Sequence, residues 1–356
     1  MDKYIDQKVS QSILTVGCHF SPPKGGVAQL LYIYEKYVYT DFKFCANSKK
    51  GTMILKFFFF IKGICSFVYN LIIDRRIKLI HIHSASYNSF RRSAIYVRIA
   101  KLFGKKVVFH IHGGDFKNFY NTAPARISKL LNNVDCIIAL SEQWKRFFQQ
   151  IAKGVPVEIV QNIIEFPILT TVDNNKDGKI HVLFLGLIDE AKGVFDLLDV
   201  LSSESSLYKD KYVIHIAGNG KVRQLKDVIL ENKLEDIVKF EGWVDGEKKI
   251  ELLNLCEVFI LPSYAEGSPL SILEALSYGN YIIASNVGGI PEVVSPGCGM
   301  LFDAGDKLAL SNALKQYIYN RNDILKTKHY RISVGETYLP HNVANKLNSI
   351  YNELIK

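Results

Sequence analysis

An α/β chain of two doubly wound, Rossmann-like parallel-sheet domains facing an interdomain cleft is what the sequence predicts. Three observations predict it. The length of 356 residues exceeds what one core comfortably holds. Short apolar runs alternate with stretches of helical length in both halves, the pattern of parallel sheets covered on both faces. Between the halves lies ILTTVDNNKDG (168–178), polar and without periodicity, as a linker should be. The boundaries expected are 1–165 for the first domain, 166–178 for the linker and 179–342 for the second domain.

In the first half SILTVG (12–17) reads as a strand and passes through CHFSPPKGG into a helix from about Val27. IKLIHIHSA (77–85), KKVVFHIHGGD (105–115), DCIIALS (135–141) and VEIVQN (157–162) read as further strands. Helices fit at Phe57–Ile73, Ser89–Phe103 and Ala125–Asn132. The second half repeats the pattern. Strands are expected at 179–186, 212–220, 238–244, 258–263 and 280–285, with a helix from about Gly193 and others at Lys221–Asn232, Glu247–Asn254, Ser268–Tyr278 and Lys307–Asn320. The final stretch, Val343–Ile355, reads as a helix. In open sheets of this kind ligands bind beyond the carboxyl ends of the strands, which makes the cleft the default site.

Composition excludes several classes. With 48% hydrophobic and 22% charged residues the chain is globular, not disordered. The six cysteines are widely spaced, without a Cys-x-x-Cys pair, and read as reduced thiols of a cytosolic protein. The N-terminus lacks the apolar core of a signal peptide. Met53–Ile73 is the most apolar segment, but Lys56 and Lys62 interrupt it, so a buried or surface-seated helix is expected and not a span. The net charge of +9 is uneven: up to Glu165 there are 24 Lys and Arg against 10 Asp and Glu, and beyond it 20 against 25. A basic first half implies an anionic partner.

The most informative stretch is LPSYAEGSPLSILEALSYGNYIIASNVGGIPEVV (261–294). A strand ends, a loop of small residues follows, and a helix opens near Ser268 with free N-terminal amides that suit a phosphate. Glu266 precedes that helix and Glu274 lies two turns into it, about 12 Å further along the axis. They are therefore expected to touch different parts of one extended ligand, not to form an acid–base pair. Alone, two glutamates at this spacing would be ordinary surface carboxylates.

With its loop, helix, following strand and GG-x-PE turn in order, this stretch resembles the signature of the retaining glycosyltransferases of family 4, which have the GT-B fold. The resemblance runs from Gly17 to Val294. It implies that Glu266 lies near the donor sugar, that Glu274 holds the nucleotide ribose, and that the stretch Ser268–Pro269–Leu270 meets the diphosphate, Pro269 having no N–H and the donors being the Ser268 and Leu270 amides. KGG (24–26) matches the family's glycine-rich loop, which assigns Gly25 and Gly26 to the donor phosphates; alone it would be an ordinary turn. HGGD (112–115) matches the family's His-Gly, which assigns His112 to the donor sugar with Asp115 beside it. GLIDEAKG (186–193) and AGNGK (217–221) match further donor positions, which brings in Gly186, Gly218 and, for the leaving diphosphate, Lys192. Leu187 stands where the family has arginine, and Arg223 is a candidate substitute. In this fold the C-terminal helix, 343–356, packs back on the first domain.

The remaining histidines, His81, His83 and His110, alternate on two strands without a carboxylate or cysteine at matching spacing and are not read as a metal cluster. No Asp-x-Asp triplet is present, so metal-independent transfer without a cofactor is expected. The basic helix around 88–106 has an apolar side and a cationic one. It reads as packed on its own sheet or, more sharply, as docking on an anionic membrane surface. No nucleic-acid-reading motif accompanies the charge. The resemblance implies a UDP-sugar donor and a glycan acceptor linked to a polyprenyl diphosphate. It places the enzyme on the cytoplasmic face of the cell membrane, in surface polysaccharide biosynthesis. A soluble acceptor, a sugar-nucleotide epimerase and an inactive nucleotide- or carbohydrate-binding module stand as alternatives, the last because of Leu187.

Overall fold

A computed structural model describes residues 3–23, 25–49, 51–170 and 177–356, with backbone only at Met53. The chain divides into two compact units, Met1–Glu165 with Tyr338–Lys356, and Phe166–Thr337. Part of the expected linker, residues 171–176, lies outside the described residues, as does Lys24 of the KGG turn. Residues 166–170 are tied to the second unit: Asn254 donates to the Ile168 carbonyl at 2.9 Å, and the Ile168 N–H donates to the Tyr278 hydroxyl at 3.2 Å.

The first unit is built on a six-stranded parallel sheet. Its strands are β1 (Ile13–Cys18), β2 (Phe44–Ser48), β3 (Leu79–Ser84), β4 (Lys106–Ile111), β5 (Cys136–Ala139) and β6 (Val157–Ile159), in the order β2-β1-β3-β4-β5-β6. Strands β3 and β5 are buried along their whole length, because helices cover both faces. Residues two apart share a face, so Leu14, Val16, Ile80, Ile82, Val107, Phe109 and Ile137 form one side with Phe67, Tyr96 and Phe148 of the covering helices. The opposite face carries His81, His83 and His110. It meets Tyr34 of the π-helical turn Tyr34–Val38 and Tyr351 of the C-terminal helix Pro340–Ile355. That helix belongs to the first unit. Residues 338–342, expected in the second domain, belong there too, since the Ile164 N–H donates to the Tyr338 carbonyl at 3.1 Å and Pro340 opens the helix.

The second unit is again a six-stranded parallel sheet: β7 (Ile180–Leu185), β8 (Tyr212–Ala217), β9 (Val238–Gly242), β10 (Val258–Leu261), β11 (Tyr281–Ser285) and β12 (Gly299–Phe302). The order is β12-β11-β10-β7-β8-β9. The chain starts in the centre at β7, runs outward to β9, then crosses to β10 and runs outward the other way. The switch point therefore lies at the carboxyl edge between β7 and β10, where ligands bind in open sheets of this kind.

Two strands escape the sequence reading, β2 and β12, and both are sheet edges. The first alternates half-buried and buried residues over FCANS; the second is four residues long and starts at Gly299. Edge strands are short and weakly apolar because one side has no partner.

Candidate functional site

Glycines and backbone contacts assemble the carboxyl edge of the second unit. The Gly186 N–H donates to the Ala217 carbonyl and the Gly218 N–H to that of Gly242, so the ends of β7, β8 and β9 are tied together even though the β8–β9 register shifts between Ile216 and Ala217. A Cβ on Gly218 would lie 1.8 Å from the Gly186 carbonyl oxygen, an approach only glycine allows. The stretch after Gly186 folds into a 3₁₀ turn, Glu190–Lys192, capped by Asp189, whose carboxylate accepts from the Lys192 N–H at 3.0 Å. Gly193 follows at φ 66°, and a Cβ there would strike the Pro262 carbonyl at 1.9 Å. Tyr264 N–H donates to the Ala191 carbonyl. The loops leaving β7 and β10 are thus stitched together across the switch point.

The side chains follow from that stitching. Lys192 Nζ lies 2.5 Å from Glu266 Oε1, which also accepts from the Ser263 hydroxyl at 2.8 Å. Glu266, Ser268 and Glu274 are all buried. The GG-x-PE turn that follows β11 has a defined task. Gly288 sits at φ 56°, with its Cβ position 1.8 Å from the Glu266 carbonyl, and the Gly289 N–H donates to the Gly267 carbonyl at 2.9 Å. The turn clamps the backbone of the Glu266 loop. The helix starts at Leu270 with Pro269 as N-cap, two residues later than expected, so Ser268 belongs to the approach to the helix and Leu270 opens it. The Ile272 and Leu273 N–H groups donate to the Pro269 carbonyl, and the amides ahead of them, at Leu270 and Ser271, have no partner within the helix.

One residue is new. Lys249 Nζ lies 2.7 Å from Glu274 Oε1. It comes from the helix Gly246–Leu255, where nothing in EKKIELL distinguishes it from its neighbour Lys248. Burial of Glu274 is the only signal that could have called for it, because a buried carboxylate needs a cation. Leu187 is exposed at the position of the expected arginine. Arg223 lies exposed on the helix Val222–Glu231, and no hydrogen bond or ion pair joins it to Lys192, Glu266 or Glu274 among the described residues. A depression of about 350 Å³ beside these loops, lined by Glu190, Ala191, Phe195, Asp196 and Tyr264, contains none of the expected site residues.

In the first unit Gly25 has φ 109° and caps the helix Gly26–Ile33, and no atom lies within 4 Å of where its Cβ would be. His112 continues β4, its N–H donating to the Ser84 carbonyl. Gly113 must be glycine, since a Cβ would meet the Ser86 hydroxyl at 2.5 Å. Asp115 accepts from the Tyr87 hydroxyl at 2.6 Å and from Asn118 at 2.7 Å, which gives its carboxylate a structural role in holding this loop.

Spacing alone did not show what joins the four histidines. His83 Nδ1 and His112 Nε2 are 2.9 Å apart with nearly parallel rings, and His81 Nε2 and His110 Nδ1 are 3.3 Å apart with rings stacked likewise. His81 Nδ1 pairs with the Tyr351 hydroxyl at 2.6 Å, which pairs in turn with Tyr39. One ring nitrogen each of His81, His83 and His110 lies within 4.8 Å of the others, and Nε2 of His83 and His110 lacks a hydrogen-bond partner. Burial lowers the pKa of all four, to about 3 for His81 and His112, so the cluster is neutral near pH 7.

Comparison with known proteins places this geometry. The model of the family "Glycosyl transferases group 1" matches residues 169–333, and that of "Glycosyltransferase Family 4" matches residues 48–166. A Klebsiella pneumoniae protein named only as a 41.2 kDa protein in the cps region is 27% identical over 245 residues, 64% of this chain and 66% of that one. The amylovoran biosynthesis glycosyltransferase AmsK of Erwinia amylovora is 25% identical over 247 residues, 64% of this chain and 59% of its own. The chain thus spans about three fifths to two thirds of the length of these curated relatives. Among solved structures, sucrose-phosphate synthase of Thermosynechococcus elongatus superposes with a TM-score of 0.77 over 96% of this chain and 98% of that one, at 17% identity, a likeness of fold.

Proposed function

This chain belongs to glycosyltransferase family 4 and has the GT-B fold, and from that premise we propose that it transfers a sugar with retention of anomeric configuration. The donor in this reading is a UDP-sugar, and the acceptor is a hydroxyl of a glycan carried on a polyprenyl diphosphate. The setting is bacterial surface polysaccharide assembly at the cytoplasmic face of the cell membrane. The names of the Klebsiella and Erwinia relatives support that setting. The basic first half supports a partner with anionic lipid.

The observation that carries the reading is the Lys192–Glu266 pair, held at the switch point beside a helix start. In the transfer, the bond from the anomeric carbon to the diphosphate breaks and its electron pair leaves with the nucleotide. The acceptor oxygen bonds to the same carbon, and its proton passes to a phosphate oxygen. What needs stabilising is the charge that develops on the diphosphate, and Lys192 with the amides of Ser268 and Leu270 supplies that stabilisation without a metal. Glu266 orients sugar hydroxyls, and Glu274 accepts hydrogen bonds from the ribose. His112, neutral and aligned by His83, is kept as the first unit's hydrogen-bonding group for the sugar.

Thermal-shift measurements against UDP, GDP, ADP and their sugars, with transfer of labelled sugar to a lipid extract, test the reading. UDP compounds are expected to raise the unfolding temperature and the label to appear in lipid, both reduced in Glu266→Gln. A donor that binds but is neither transferred nor hydrolysed across the whole panel would replace the transferase with a binding module.

A further inference from the structure

The helix Met53–Ile73 presents a large apolar surface that the fold does not use. One face is committed to the core: Phe67 and Leu71 are buried, with Phe60 and Ile64 packed beside them, a stripe at i, i+4, i+7 and i+11. The opposite stripe is Ile54, Phe58, Ile61, Tyr69 and Ile72, between 43 and 69% exposed. It runs about 27 Å along the helix. Contiguous exposed apolar surface of this length marks an interaction site.

We propose that this helix is an in-plane membrane anchor, seated with its outer stripe in the headgroup–acyl boundary of an anionic bilayer. The helix is long and apolar enough to cross a membrane, but its attachment decides against a span. Gly63 lies so close to β2 that a Cβ would come within 2.5 Å of the Ala46 carbonyl, and the Gly63 carbonyl accepts from the Cys45 thiol. Crossing would strip Phe67 and Leu71 from the core. Charge selects the occupant. Between Phe42 and Gly114 the sole acidic residue is Asp74, against fourteen Lys and Arg. Asp74 is already paired with Lys43 and Arg76, which leaves the surroundings of the stripe cationic. Exposed Lys56 and Lys62 lie on the helix itself, and exposed Arg91 and Arg98 on the helix Asn88–Leu102 packed against it. An apolar stripe amid cations matches acyl chains beneath anionic headgroups. The inference deepens the membrane partner in the proposed function and rests on that reading for the lipid alone; the contact itself is apolar and resists salt.

The full chain is sedimented with vesicles of phosphatidylcholine, alone or with 30 mol% phosphatidylglycerol, in 0.1 and 1 M NaCl. No donor or acceptor is present, so failure here leaves the transferase reading standing. Binding to the anionic vesicles is expected, with most of it kept in 1 M NaCl and released by alkaline carbonate. F58D/I61D is expected to weaken partition about tenfold or more while the unfolding temperature stays unchanged, since both residues are exposed. Tyr319→Asp, at a still more exposed position in the second unit, should bind as the parent does. Failure of the parent to bind, complete release by 1 M NaCl, or equal binding by F58D/I61D overturns the anchor. Resistance to carbonate would overturn the in-plane seat in favour of insertion. A dimer in solution that F58D/I61D abolishes, without vesicle binding, would assign the stripe to a second copy.

Discussion

Gly288→Ala tests whether the turn after β11 holds the Glu266 loop in place. The residue sits at φ 56°, where an L side chain costs about 1–2 kcal/mol. That cost alone says nothing about the site, and Gly246 supplies the comparison: its φ is 49° and no atom lies within 4 Å of its Cβ position. Gly246→Ala should therefore show the dihedral cost only. At Gly288 the added carbon would stand 1.8 Å from the Glu266 carbonyl oxygen, so that backbone must retreat by more than an ångström to reach ordinary contact. Its retreat pulls Glu266 away from Lys192 and Ser263. A displacement of that size in a positioned group costs on the order of a hundredfold in rate. The expected result is a loss of about 2–4 kcal/mol for Gly288→Ala against about 1–2 for Gly246→Ala. In the melting temperature the first corresponds to roughly 4–16 °C. Sugar transfer should fall about a hundredfold in the first variant alone. Differential scanning fluorimetry and initial-rate assays on both variants measure this. Equal melting temperatures and equal rates in the pair would refute the clamp.

Three further outcomes follow from named contacts. Lys249→Met strands the Glu274 carboxylate, the more buried member of the pair, and should cost about 1–3 kcal/mol in urea unfolding. Adding Glu274→Gln should recover part of that loss, and a strictly additive double variant would deny the coupling. The buried histidines set a pH dependence. Their folded pKa values lie far below the unfolded value near 6.5, so below that pH the unfolded chain binds protons that the native cluster refuses. Stability is therefore full above about pH 6.5 and falls as the pH drops toward 3, by up to about 1.4 kcal/mol per pH unit for each histidine. A flat unfolding midpoint between pH 7.5 and 5 would contradict the neutral assignment. Leu187→Arg places a guanidinium at the exposed position after Gly186 and should raise kcat about three- to tenfold if the diphosphate is short of one cation. An unchanged kcat would mean that another group already meets the charge.

The sheets were legible in the sequence because parallel strands buried on both faces read as continuous apolar runs, as in VLFL of β7 and IIA of β5. Two of the four edge strands were not, since β2 buries two of its five residues and β12 one of its four. The sequence could show that Glu266 opens a loop and that Gly288 lies in a turn. It could not show that the turn's Gly288 presses on the backbone of Glu266, because that contact joins the ends of two strands through space. Lys249 was illegible for a related reason: the identity of a buried carboxylate's partner depends on the rotation of a helix 25 residues earlier in the chain. The histidines show the same limit in reverse. Alternation placed each pair on one face of its strand, but their cross-strand pairing and the tyrosines behind them come from the β3–β4 register, which pairs His83 with His110.

The first half shows most clearly how folded geometry changes a functional argument. Composition makes its positive charge conspicuous, and charge alone suggests an electrostatic attachment that salt would dissolve. The structure adds which apolar residues are left over after the core is filled, and these cannot be counted from sequence because both stripes of Met53–Ile73 look equally apolar there. Phe60, Ile64, Phe67 and Leu71 turn inward; Ile54, Phe58, Ile61 and Ile72 turn outward. Hydrophobic contact does not weaken with ionic strength as ion pairing does, and exclusion of salt from apolar surface strengthens it. Release by salt is therefore the wrong criterion for a soluble enzyme here. An enzyme whose acceptor is embedded in lipid gains from an attachment of this kind, which holds it at the surface while its cations select the anionic leaflet.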